Sequence, residues 1–416
     1  MRIALVTPEF PTEDSYSGGL ANYLGRIAPA LSEQGHDVHI FTKSHVANEI
    51  LDYRGVQVHR VIPLWDHKMR LDRLDRFVPR SHYAPYQDLK AAWSLHRRWK
   101  REHQGQPFDL VQLTNVLAVG WFFRKETSVP VVMRLSSFRP AWDTAAGVTI
   151  TSSVKARWWM EKKVIQATRH LYAPTRFVAR LTEDNYGTGH VRVIETPFYQ
   201  EEPELDPTLY EQYCRGRRYI LFFGRKTQMK GVHLLAAALP AVMKQHPQMH
   251  AVFVGSSATA PDGSTMDDYI RNVTREVADR VTILESVRHD KLYPLIQNAE
   301  LIALPSLMDN LPNTCLEAMA HGRVVVATTG SCFEQLIEDG KSGVLVAPND
   351  VEALTRGLSN AWSLSDDAKH DIGEHARRRI ADLHPERVIQ ELLAFYDAVY
   401  PSSRPAPVSS SPATIT

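Results

Sequence analysis

The 416-residue sequence is 44 % apolar and 23 % charged, the balance of an ordinary globular chain and not of a disordered or fibrous one. Its 48 Lys and Arg against 47 Asp and Glu leave a formal charge of +1. No global field draws nucleic acid, so any grip on phosphate has to be local. Three scattered cysteines, Cys214, Cys315 and Cys332, are too few for a disulfide framework or a zinc site and point to a reducing compartment.

The opening run RIALVT (residues 2–7) is followed at once by Pro8 and Glu9, too short for a signal peptide, and reads as a buried first strand. No later stretch approaches 18 uninterrupted apolar residues, so a cytoplasmic chain is expected. A polar loop ending in Ser17, Gly18 and Gly19 leads into a helix with Leu20, Leu24, Ile27 and Leu31 on one stripe, stopped by Gly35. Pro29 inside it, at ~3 kcal/mol in mid-helix, predicts a kink or an early end. VHIFT, FDLVQL, VPVVMRL and HLYAP read as further strands of one sheet. Residues 68–101 carry ten Lys or Arg against three acids, with Trp65, Trp93 and Trp99 around them. That composition fits a solvated helical face or peripheral contact with an anionic membrane.

Residues 201–218 are polar, hold two prolines and read as a linker. Strand and helix alternation then restarts with YILFFG, VHLLAAALPAVMKQ, HAVFVG, RVTILE, KLYPLIQNA, LIALPS and RVVVAT. Alternation of this kind demands parallel sheets covered on both faces, hence two doubly wound domains, 1–205 and 206–384. A periodic helix over 385–400 follows. The segment 401–416, with four prolines and five serines, is expected to be a disordered tail.

Chemistry is expected just after strands, where open sheets form ligand crevices. GRKTQMKG, residues 224–231, lies between a strand and a helix; Gly224 permits a tight turn, and Arg225 and Lys230 place two cations beside a helix N-terminus that already favours anions. A diphosphate suits that pocket. PSLMDNLPNTCLEAMAHG, residues 305–322, offers two carboxylates: Asp309 in a loop and Glu317 among apolar neighbours that require it to find a donor. Hydroxyl pairs of a sugar nucleotide would supply one, as would a nearby Arg or backbone N–H. No GxGxxG, P-loop, HExxH, nucleophile elbow or CxxC pair occurs, and no metal is indicated.

These pieces resemble the retaining glycosyltransferases of family 4, over nearly the whole chain. The resemblance is carried by SGG with LANYLGRIAPALSEQGHDVHIFT, YAPTRFVARL, VRVIETPF, GRKTQMKG, VFVG, LPSLMDNLPNTCLEAMAHGRVVVAT, FEQLIEDGKSGVLV and the closing helix. It implies an α/β GT-B fold, two Rossmann-like domains facing a cleft, with the closing helix crossing back to the first. By the same resemblance Arg225 and Lys230 hold a nucleoside-diphosphate-sugar, Glu317 accepts from its ribose, and Gly18 and Gly19 let the first domain approach its phosphates. Gly224, Asn310, Leu311, Asn313 and Thr314 are assigned to the same donor pocket, and no metal or resident cofactor is implied. The chain departs from the family twice. Asp309 stands where Glu is usual at the donor sugar, and Ser136 to Arg139 stand where many members place a His. A glycan, a lipid-linked molecule or a small molecule could accept the sugar; a non-catalytic sugar-nucleotide-binding scaffold is the alternative.

Overall fold

The computed structural model describes residues 1–13, 19–63, 78–200 and 203–400. The expected tail 401–416, the residues 64–77 of the basic segment, and Ser17 and Gly18 lie outside the described residues.

One sheet joins β1 (Arg2–Thr7), β2 (Asp37–Lys43), β3 (Glu49–Tyr53), β4 (Val56–Val61), β5 (Leu110–Thr114), β6 (Val131–Arg134), β7 (His170–Ala173) and β8 (Arg192–Val193). Its order is β3-β4-β2-β1-β5-β6-β7-β8, parallel throughout except for the hairpin of β3 and β4. The other sheet joins β9 (Arg218–Phe223), β10 (Met249–Val254), β11 (Val281–Leu284), β12 (Leu301–Leu304), β13 (Val324–Thr328) and β14 (Val344–Val346) in the order β11-β10-β9-β12-β13-β14, all parallel. Each order reverses direction once, between β1 and β5 and between β9 and β12. These are the switch points outside whose carboxyl ends crevices open.

Strands buried on both faces read as continuous apolar runs, which is why RIALVT, YILFF and LIAL were legible. In β1, Ile3 and Leu5 pack toward the helix Gly19–Glu33, while Ala4 and Val6 face the opposite layer with Trp99 and Phe123. The closing helix Pro385–Val399 belongs to the first of these layers. Its Val388, Ile389, Leu392 and Tyr396 are buried with Ile3, Leu24 and Ile27, at roughly 1.5–3 kcal/mol per large apolar side chain.

Several expectations are corrected. The first helix runs unbroken through Pro29 to Glu33, where its packed apolar stripe outweighs the lost hydrogen bond. The linker contains a helical stretch, Thr208–Tyr213. Strands β3, β4, β8 and β14 were not foreseen; they are edge or near-edge strands, short or partly exposed. The described part of the basic segment forms the helix Arg80–Gly105 and is not a uniformly solvated face, since Trp99 is fully buried and Asp88 is buried against Arg157. Among the described residues, no helix is long and apolar enough to cross a membrane.

The carboxyl edges of the two sheets are linked by Gln335 and Arg379. Gln335, on the short helix Phe333–Leu336 that follows β13, accepts from the backbone N–H of Arg176 at 2.8 Å. Its Nε2 donates to the carbonyl of Pro174 at 3.1 Å and to Glu195 at 2.8 Å. These partners follow β7 and β8 directly. Arg379 adds an ion pair to the same Glu195.

Candidate active site

The loop Gly224–Gly231 is fixed to the sheet from both ends. Gly224 N–H donates to Val254 O at 3.0 Å, and Lys226 N–H to Ser256 O at 2.8 Å. The Lys226 side chain is fully buried, its ammonium 2.7 Å from Asp267 Oδ1 and 3.1 Å from Leu284 O. This residue pins the loop to the ends of β10 and β11 and is unavailable to a ligand. Gly231 closes the loop with φ of 68°, and a Cβ there would stand 1.8 Å from the carbonyl oxygen of Pro305. Only glycine fits, because the backbone of the 224–231 loop lies directly against the loop that follows β12. Met229 O accepts from Leu307 N–H at 2.8 Å across the same seam.

Pressed together in this way, the two loops put Lys230 against Asp309. Lys230 Nζ pairs with Asp309 Oδ2, while Asp309 Oδ1 accepts the Asn310 N–H at 2.9 Å. Asp309 is buried and Lys230 partly so. Arg225 is exposed and, among the described residues, makes no side-chain hydrogen bond or ion pair. Its guanidinium fork is thus open to a planar, charged acceptor group. Behind these residues begins the helix Asn313–Ala320, which has no side-chain cap at its N-terminus. Thr314 in its first turn faces Gly224, its methyl 3.3 Å from where a Cβ would be. Leu311 and Asn313 flank that turn half-buried, and Asn310 Oδ1 is buried without a hydrogen-bond partner.

Glu317, a turn further along, is buried at 9 % exposure and stands 3.8 Å from the ring of His289. His289 begins the helix His289–Gln297 after β11 and stacks on Tyr293. The partner that Glu317 requires includes an imidazole from the ESVRHD segment. Of the residues expected at the phosphates, Gly19 opens the first helix, with nothing within 4 Å of its Cβ position.

Two groupings escaped the sequence reading. At the carboxyl end of β6, Arg134 is buried, donating to Ser136 Oγ at 2.8 Å and Thr196 Oγ1 at 3.0 Å, with its guanidinium 3.7 Å from the Tyr23 ring centroid. It reaches Ser136, in the segment 136–139 singled out above; its only sequence signal is a charge closing an apolar run. The second is on the helix Ser152–Ala167, where Glu161 is 2 % exposed, 3.5 Å from Arg139 and accepting from Leu117 N–H. Burial, outweighing Arg139, pushes its carboxyl up to about 8.

Two family models match, one described as "Glycosyl transferase 4-like domain" over residues 18–197 and one as "Glycosyl transferases group 1" over 217–363. A D-inositol 3-phosphate glycosyltransferase of Nocardia farcinica is 26 % identical over 352 residues, 79 % of this chain and 74 % of that one. The structure of sucrose-phosphate synthase from Thermosynechococcus elongatus superposes with a TM-score of 0.73 at 19 % identity, covering 97 % of this chain and all of the other. The Anabaena protein HepE, solved in complex with UDP-glucose, gives 0.66 at 17 % identity over 96 % of this chain and 100 % of its own. The chain belongs to the group 1, family 4 glycosyltransferases of GT-B fold, a class of transferases.

Proposed function

We propose that the protein transfers a sugar from a nucleoside-diphosphate-sugar to an acceptor hydroxyl with retention of configuration. The observation that carries this reading is the seam between the loop 224–231 and the helix Asn313–Ala320. It brings an open guanidinium, an ammonium and uncapped helix N–H groups together outside the switch point of the second sheet. All three favour the negative charge that grows on a leaving diphosphate, so the arrangement stabilises the transition state more than the ground state. A divalent ion is not called for, since Arg225 and Lys230 supply the positive charge.

In this reading Asp309 accepts from sugar hydroxyls, and Glu317 from those of the ribose. Asp309 is one methylene shorter than the family's usual Glu, and its carboxylate pairs with Lys230. The acceptor enters from the first domain, past Ser136 and Thr114, whose hydroxyls lie 3.4 Å apart. Because Arg134 donates to Ser136 Oγ, the Ser136 proton is left to be donated elsewhere. A cytoplasmic protein touching the membrane surface through Arg97, Lys100 and Arg101, exposed on the helix Arg80–Gly105, would meet lipid-linked or glycan acceptors.

The UDP-glucose-bound HepE neighbour makes that donor the first to try. Mass-spectrometric monitoring of consumption across UDP- and GDP-sugars tests the reading. Release of nucleoside diphosphate from one donor, lost in Lys230→Ala, supports it; binding of every donor without turnover overturns it.

A further inference from the structure

At the amino-terminal edge of the second sheet, away from the donor loops, lies a crevice of about 360 Å³. It is bounded by Glu300 and Arg323, which precede β12 and β13, and by Asp366, Lys369, His370 and Arg377 of the helix Asp366–Ala381. That volume lies in the range of small-molecule sites.

The charges in it are only partly paired by the chain, Arg377 with Glu374 on its own helix. Two guanidinium groups converge on one carbonyl oxygen: Arg323 Nε lies 3.3 Å and Arg377 Nη2 3.1 Å from His321 O. Like charges brought together repel, and among the described residues no carboxylate pairs with Arg323, whose other contact is the carbonyl of Ala299. Burial and the neighbouring Arg377 together hold the Arg323 pKa below its ordinary value. Glu300 relieves this only in part, because it is shared by Lys369 at 2.9 Å and Arg218 at 2.6 Å. Gly322, whose φ of 66° itself favours glycine, leaves room for the Arg377 guanidinium, which lies 2.4 Å from where a Cβ would stand.

We propose that this crevice is a second ligand site, for a phosphate monoester of a sugar or polyol. Arg323, Arg377 and His370 take the phosphate, and the Asp366 carboxylate at the rim accepts from hydroxyl groups. Its place gives it reach. The two arginines hold the last carbonyl of the turn ending the helix Asn313–Ala320, whose first turn, about 12 Å away, lines the donor pocket. The proposal does not depend on the donor assignment.

The test is calorimetric titration of the full chain carrying Arg225→Ala and Lys230→Ala, with glucose 6-phosphate and with inorganic phosphate. Saturable binding of glucose 6-phosphate, tighter than that of inorganic phosphate, is expected. Adding His370→Glu, at an exposed position, should weaken it at least tenfold, and Arg323→Gln should remove it. Should Arg323→Gln prevent folding, His370→Glu decides alone. Absence of saturable binding at millimolar ligand, or binding unaltered by these substitutions, overturns the proposal.

Discussion

Lys230 and Asp309, seventy-nine residues apart in sequence, form an ion pair at the point where the loops after β9 and β12 meet. An incoming diphosphate has to compete with Asp309 for that ammonium, and it meets the carboxylate as a like charge. Asp309→Asn is therefore expected to tighten UDP binding a few-fold while lowering sugar transfer at least tenfold, because the same carboxylate is assigned to the sugar hydroxyls. Titration calorimetry with UDP, set beside transfer rates, checks both halves. Weaker UDP binding in the variant would contradict the competition.

Gly231 tests the seam itself. Gly231→Ala combines a left-handed backbone with a Cβ 1.8 Å from Pro305 O, so the loss should exceed about 3 kcal/mol. Gly216→Ala has similar φ, 75°, but open space, and should cost only about 1 kcal/mol. Urea unfolding measures both; equal losses would show that the two loops are not in contact.

Glu161 gives a pH signature. Burial raises its folded-state pKa to about 8 from an ordinary 4.5, so the folded chain keeps a proton that the unfolded chain has lost. The stability tied to that proton is complete below the unfolded value and is lost as pH rises towards 8. Relative to Glu161→Gln, the unmodified protein should lose on the order of a few kcal/mol between pH 5 and 8.5. Thermal unfolding across that range measures it, and parallel curves would contradict it.

Gln335 holds the two carboxyl edges together by three hydrogen bonds, each contributing about 0.5–1.5 kcal/mol. Gln335→Ala should leave each domain folded but widen the inter-domain distribution seen by small-angle scattering. It should also raise the donor KM more than it lowers kcat. An unchanged scattering profile and unchanged KM would show that Arg379 and Glu195 suffice.

Much of the fold was legible because doubly buried strands must be apolar throughout and helices must carry a stripe. RIALVT, YILFF, LIAL and VHLLAAALPAVMKQ state this directly, the last matching its helix residue for residue. Half-exposed edge strands such as β3 carry no such requirement and went unseen. In the candidate site, Arg225, Lys230 and Asp309 were singled out because they sit in loops that follow strands, and Glu317 because it is a carboxylate among apolar helix neighbours. Their mutual pairing was not, since the meeting of Lys230 with Asp309 and of Glu317 with His289 depends on how the β9, β11 and β12 ends are ordered in space. Arg134 and Gln335 act across layers and leave no periodic trace in the chain.

The most direct test of the central claim is the affinity of UDP for the intact protein and for the Arg225→Ala, Lys230→Ala double variant, with circular dichroism confirming that both are folded. The account predicts saturable binding to the first and at least a hundredfold loss in the second, about 2.7 kcal/mol. Equal affinity in the two proteins would contradict it.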